Sequence, residues 1–332
     1  MSGWLLLSDR DAPLRAGLPD RLLTGTLVLE LSWPLSSGVL LDWRGADGQA
    51  LSLFHDPQSG LGLLWRDGAI LRRFLLPGHL RLDGRVARLI FGWDGPANSW
   101  TMRLDDGQDA TVASTCGLTP PAFDTASLAD LCAGRGVTRK ESSVLWFGIS
   151  QGMVPPPHMA WMGLSTPVPT VEGLVPAGLL RPGHWVLTRE AGAVQVKSVR
   201  RVDMPSRGSH TAIVLRAPWF ARARDLLVSA DQLVALSGLE VEYLFGEEEV
   251  LVTAGALVDG RAALADNRRA TAPGVTLDLG GLHLIDCMGC TLMTAHNGPA
   301  TTMPILPLRA LHDYEALPLL RLLRRLKTSD AA

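Results

Sequence analysis

Four cysteines, two tyrosines and only 19% charged residues are few for a chain of 332 residues. Cysteines this sparse (Cys116, Cys132, Cys287, Cys290) do not build a disulfide scaffold. A net charge of −2, with no basic run interleaved with aromatics, argues against an electrostatic grip on nucleic acid or anionic lipid. No apolar run approaches the roughly 20 residues that span a bilayer, so no membrane span is expected. The N-terminal segment from Met1 to Asp9 lacks the basic start, long apolar stretch and small-residue cleavage site of a signal peptide. The expected location is the cytoplasm, or the exterior by a route that needs no cleavable signal. Gly-rich phosphate loops, paired-carboxylate motifs and Ser-His-Asp signatures are missing too. Glu247-Glu248-Glu249, with no Asn or Asp ladder, reads as a solvated turn and not a calcium loop. No cofactor and no metal is therefore expected.

What the chain does have is apolar mass. Hydrophobic residues make up 47% and the mean hydropathy is +0.17, enough for two domains with full cores. From Thr26 to Trp33 the pattern alternates, placing Leu27, Leu29, Leu31 and Trp33 on one face, with Trp33 in the core. Six further runs follow: 38–43, 50–55, 61–65, 69–76, 86–93 and 99–104. Asp-Gly pairs at 47–48, 67–68, 83–84, 94–95 and 106–107 punctuate them, and such pairs supply the positive φ of tight hairpin turns. Short strands with regular turns predict an antiparallel, jelly-roll-like β-sandwich over residues 1–110.

This segment, with Gly38-Val39-Leu40-Leu41-Asp42-Trp43, resembles the laminin-G and concanavalin-like sandwiches. That resemblance implies a glycan or protein partner bound through the sandwich. Trp43 and Trp93, each followed by a polar turn, are the expected exposed pair for stacking on a ligand. Residues 111–160 read as a connector, with a short helix over Phe123–Ala133, capped by Asp124 or Thr125 and stopped at Gly134. A short strand at Ser143–Phe147 and a stiff Pro155-Pro156-Pro157 linker complete it. Strand patterns return in a domain expected over 161–302, including single runs at 194–202 and 275–290. Residues 303–332 carry a helix, with leucines at helical spacing from Leu308, cations Arg321, Arg324, Arg325 and Lys327 near its end, and a kink or restart at Pro318. The fold class is thus mostly β: a sandwich, a second all-β domain and a terminal helix.

Three blocks in the second domain carry a more specific likeness. The first runs from Ser165-Thr166-Pro167-Val168-Pro169-Thr170 to Leu180-Arg181-Pro182-Gly183-His184-Trp185-Val186-Leu187-Thr188. The second is Leu226-Leu227-Val228-Ser229-Ala230-Asp231-Gln232, followed by Tyr243-Leu244-Phe245-Gly246 and Glu249-Val250-Leu251-Val252. The third is Leu282-His283-Leu284-Ile285-Asp286-Cys287-Met288-Gly289-Cys290. Together they resemble the bacterial Hint (hedgehog/intein) autoprocessing domains. In that family a Cys opens the first block, and a catalytic His stands three residues after the Ser of the second. Aligned without gaps, the Cys position falls on Trp161 and the His position on Gln232; of the third block's polar signature only Asp286 is kept.

The family's reaction needs a thiol or hydroxyl that attacks the preceding carbonyl, with the histidine moving a proton. Trp161 offers no nucleophile, and the Gln232 amide does not exchange a proton near neutral pH. The pocket positions implied by the resemblance are Ser165, Thr166, Ser229, Gln232 and Asp286, and the expectation is a non-catalytic binding or interaction module on this scaffold. The alternative is self-cleavage through Ser165 after a shortened loop, with His158, His184 or His210 as base. His283, Cys287, Cys290 and His296 have the composition of a zinc set. Read as one strand, however, the segment sends residues three apart to opposite faces, so buried apolar cysteines are expected.

Overall fold

The computed structural model describes residues 3–82, 86–107, 110–155, 159–220, 223–295 and 306–320. They fall into two compact units, Ser2–Pro157 and His158–Ala332. In the first unit the chain runs through β1 (Trp4–Leu7), β2 (Arg21–Leu22), β3 (Thr24–Ser32), β4 (Gly38–Arg44), β5 (Ala50–Asp56), β6 (Gly60–Asp67) and β7 (Ile70–Leu76). It continues with β8 (Val86–Asp94), β9 (Ser99–Asp106), β10 (Thr111–Leu118), β11 (Phe123–Asp124), helix α1 (Thr125–Cys132), β12 (Val137–Lys140) and β13 (Val144–Gln151).

Two antiparallel sheets, ordered β1-β13-β3-β8-β9-β10 and β12-β4-β5-β6-β7, form the expected sandwich. Leu27, Leu29 and Leu31 of β3 join Leu51, Leu53, Leu61 and Leu63 in one apolar core. Each of the seven strands expected between residues 26 and 104 is found within a residue or two of its bounds, while the one expected at Ser143–Phe147 runs on to Gln151. Trp33 is only partly buried, packed against the core from just beyond β3. Gly48 and Gly68 adopt the positive φ expected of Asp-Gly turns, but in the β8–β9 turn that conformation falls on Asn98 (φ 49) and not on Gly95. Asp83-Gly84 lies outside the described residues.

The connector expected at 111–160 is largely part of the sandwich. Strand β10 extends one edge along β9, β12 pairs with β4, and β13 lies between β1 and β3. β10 escapes sequence reading because Thr111-Val112-Ala113-Ser114-Thr115-Cys116 is small and polar; its partner β9 supplies the ladder that its side chains do not announce. Helix α1 forms as expected and buries Leu128, Leu131 and Cys132. Asp124 holds the N-cap position without a capping bond, its carboxylate engaged instead by Arg21 and Gln49.

The expected exposed pair is not exposed. Trp43 is 1% accessible and Trp93 is fully buried. The Trp43 indole stacks on Trp65 and donates its N–H to Arg135 O at 2.8 Å. Trp93 donates to Leu22 O at 2.8 Å and meets Phe123 edge-on. Both sit on core-facing positions of their strands, and the polar turn after each says nothing about which way the side chain points.

The second unit holds β14 (Met162–Gly163), β15 (Pro167–Thr170), β16 (Gly173–Pro176), β17 (Trp185–Thr188), β18 (Gly192–Gln195), β19 (Ser198–Pro205), β20 (Ile213–Leu215) and β21 (Leu226–Val228). After these come β22 (Leu233–Ser237), α2 (Leu239–Phe245), β23 (Glu249–Thr253), β24 (Ala263–Ala265), β25 (Thr271–Asp278), β26 (Leu284–Cys287) and β27 (Cys290–Met293). They build three sheets: β19-β25-β14-β21-β20-β24, β16-β15-β17-β18 and β23-β22-β27-β26.

Each long run expected here is divided. Residues 194–202 break into β18 and β19, and 275–290 into β25 and β26. The C-terminal helix begins at 313, not 308, because residues 309–311 hydrogen-bond along Leu251 of β23. Its first turn is closed by Glu315, whose carboxylate accepts the His312 N–H at 2.9 Å, half of a capping box. The described helix, 313–320, runs through Pro318 without a break. The cations near the expected helix end lie outside the described residues, as do Pro156, Pro157 and His158. Among the described residues no helix is long and apolar enough to cross a membrane.

Candidate functional site

Strand β14 is two residues long but central. Met162 pairs with Val228 of β21 on one side and Val275 of β25 on the other. Trp161, immediately before it, donates its backbone N–H to Ser229 Oγ at 3.1 Å, and its carbonyl accepts the Ser229 N–H at 3.0 Å. Trp161, at the expected Cys position, and Ser229, of the second block, therefore meet through reciprocal hydrogen bonds. At position 161 the side chain is an indole.

That indole is part of the core. Trp161 is 2% accessible and packs with Val202, Met204, Ala212 and Ala272. A Cβ added at Gly274 would stand 2.3 Å from the ring, so the ring lies over a position that has room for it only as glycine. Gln232 closes the turn that Ser229 opens, its N–H reaching Ser229 O at 3.1 Å. Its side chain is buried, and the amide nitrogen donates to Met293 O at 2.7 Å and Leu233 O at 3.1 Å. The amide has two N–H donors, and both have carbonyl partners. Gln232 thus staples this turn to β27. Nothing in the sequence around Met293 or Gly274 marked either as belonging to this site.

The Hint domain family matches residues 164–278. This chain is a Hint-domain protein with an N-terminal β-sandwich. Among solved structures, the MchDnaB-1 intein is 16% identical over 40% of this chain and 99% of the intein, with a TM-score of 0.28. The gp41-1 intein is 13% identical over 42% of this chain and all of that one, with a TM-score of 0.27. The LG1–3 region of the laminin α2 chain is 10% identical over 92% of this chain and 60% of its own length, with a TM-score of 0.29. No curated protein matches the chain.

The other positions expected in the Hint pocket are not gathered there. Ser165 is exposed, third in a turn closed by the Thr166 N–H on Gly163 O at 3.0 Å, and its hydroxyl has no hydrogen-bond partner among the described residues. No hydrogen bond joins it to His184 or His210, and His158 lies outside the described residues. Thr166 is buried, and its Oγ1 has no partner among the described residues. Asp286 is exposed near the end of β26, where it accepts the Gly289 N–H from the following turn. It borders a shallow groove of about 500 Å³ with Pro169, Leu174, Leu187 and Met288, on a different sheet from Trp161.

The cysteine segment is a hairpin and not one strand. Met288 (φ 61) and Gly289 (φ 92) form a two-residue turn, so Cys287 and Cys290 face each other directly across it. Both thiols are free and buried. Burial pushes Cys290 up to about 12 and Cys287 well above the usual thiol range, with the Asp286 charge adding to each. Such thiols hold their protons and are poor nucleophiles and poor metal ligands. His283 lies against Glu190, with Nδ1 4.0 Å from a carboxylate oxygen, and His296 is outside the described residues. Among the described residues no group of three His, Cys, Asp or Glu side chains is placed to hold a metal.

Proposed function

We propose that this chain is a binding or interaction module that keeps the Hint scaffold without its self-cleavage chemistry. The observation that supports the reading is Trp161: an indole, sealed into the core over Gly274, stands at the position to which the sequence resemblance assigns the family's nucleophile. A reaction that begins with side-chain attack on the preceding carbonyl has no attacking atom at that position. Gln232 supports the same reading, because its amide is spent on Met293 O and Leu233 O and has no proton to exchange near neutral pH. Ser165, the one alternative nucleophile, has no base to activate it among the described residues.

Intact mass after purification tests this. A chain that remains at 35.7 kDa across pH and in added thiol is the expected result. Fragments splitting near Ser165, and their loss in Ser165→Ala, would overturn the proposal in favour of autoprocessing.

A further inference from the structure

The first unit has a partly open cleft of about 240 Å³ at one end of the sandwich, between β2, the β8–β9 turn and the segment after β10. Its polar lining side chains are Arg21, Arg72, Asn98 and Thr119. Arg72 reaches over the cleft from β7, and its Nη1 donates to Thr119 O at 2.8 Å, which fixes the guanidinium plane. No carboxylate stands within ion-pair distance of Arg72 among the described residues, whereas Arg21 across the cleft is paired with Asp124 at 3.1 Å. Asn98 accepts the Thr119 N–H on Oδ1 at 3.2 Å, which leaves its side-chain NH2 as a donor.

The backbone is held unusually to achieve this. Asn98 (φ 49) and Thr119 (φ 61) are both left-handed, and for a β-branched threonine that conformation is a true outlier. Such strain persists where the surroundings impose it, most often at ligand sites. The remaining wall is apolar: Pro120 and Pro121 contribute no N–H, and Leu23, 61% accessible, closes one side.

From this arrangement we infer that the cleft binds a small organic monocarboxylate, a single sugar-acid residue, with Arg72 gripping the carboxylate. One uncompensated guanidinium matches one negative charge, and its planar fork suits a carboxylate's two oxygens. A phosphate, carrying nearly two charges at neutral pH, would leave one unmatched. The volume falls below the roughly 300–1,000 Å³ of sites for drug-sized ligands, so it takes one ring and not a chain of them. Asn98 and the free guanidinium nitrogens of Arg21 serve the hydroxyl oxygens, and the proline–leucine wall serves the ring's C–H face. This names a ligand for the binding module proposed above and rests on that reading.

Titration of the full chain with glucuronate, glucose and acetate, followed by amide NMR at Asn98 and Thr119, tests it. Glucuronate is expected to shift both amides, glucose to leave them unmoved, and acetate to bind more weakly. Arg72→Gln should weaken glucuronate by roughly tenfold or more, the scale of a lost charge-assisted hydrogen bond, with an unchanged melting curve. Asn98→Asp, which keeps a residue tolerant of the left-handed backbone, should also weaken it by adding a like charge. Equal binding of glucose, equal binding of acetate, no binding of glucuronate, or full binding by Arg72→Gln would each overturn the assignment. A chain that stays intact yet binds nothing removes this site alone, while a chain that cleaves itself removes the functional reading and leaves the cleft to be judged by its own titration.

Discussion

Truncating Trp161 and filling Gly274 form a cycle whose outcome is set by one contact. Trp161→Ala empties a fully enclosed indole site and is expected to cost about 3–5 kcal/mol, the range for large aromatic truncations in cores. Gly274→Ala alone places a methyl 2.3 Å from the ring and 3.1 Å from Met162 O. The backbone of Gly274 is not left-handed, so the cost is overpacking, about 1–3 kcal/mol. In the double variant the methyl enters space the ring has vacated, and the second substitution becomes nearly neutral. The two changes should therefore couple by about 1–3 kcal/mol, with the pair less damaging than the sum of its parts. Urea titration read by hydrogen exchange on the β14 and β25 amides isolates this unit from the sandwich. Trp161→Leu supplies a milder arm should Trp161→Ala unfold the unit. Additivity within about 0.5 kcal/mol would show that the ring does not lie over Gly274. A cost below about 1 kcal/mol for Trp161→Ala would show that position 161 is open, and the argument against a nucleophile site would fall with it.

Two further outcomes are expected. Alkylation of the native chain at pH 8 should modify Cys116, which is exposed, and spare Cys132, Cys287 and Cys290, whose burial keeps them protonated; all four should react once urea is added. Peptide mass mapping that finds Cys287 or Cys290 labelled in the native chain would mean that the hairpin opens. Asp266 is held below the usual carboxylate range, chiefly by the Arg268 side chain, which donates from Nε to its Oδ1 at 2.8 Å. A depressed folded value means that its stabilisation is present above the unfolded value near pH 4 and is lost as pH falls through the folded one. Asp266→Asn should flatten the urea midpoint of the second unit against pH below about 4, and an unchanged acid slope would refute the pairing.

Alternation and turn chemistry were enough to locate seven strands of the sandwich, because each has apolar residues at period two between Gly-rich turns. They did not reveal β10, whose small polar side chains pair only because β9 offers an edge. Nor could they orient Trp43 and Trp93, since the facing of a strand depends on register across its neighbours. The Hint likeness was legible in three blocks because its apolar frame survives, with Leu226, Val228, Val250 and Val252 all buried in the main core of the unit. What a linear reading of 275–290 lacked was the Met288–Gly289 turn, which folds two cysteines onto one face instead of two.

By itself the sequence determined the architecture of this protein and the identity of the residues at the family's reactive positions, for those depend on local pattern and on which side chain is present. Tertiary structure alone decided what those residues do. Trp161 became core because Gly274, more than 100 positions away, leaves room for its ring, and Gln232 became a staple because Met293 presents a carbonyl to its amide. The cleft arises the same way, where three segments far apart in the chain leave the Arg72 guanidinium with no carboxylate beside it among the described residues. Contacts of that kind are made by the closing of sheets, and no spacing along the chain encodes them.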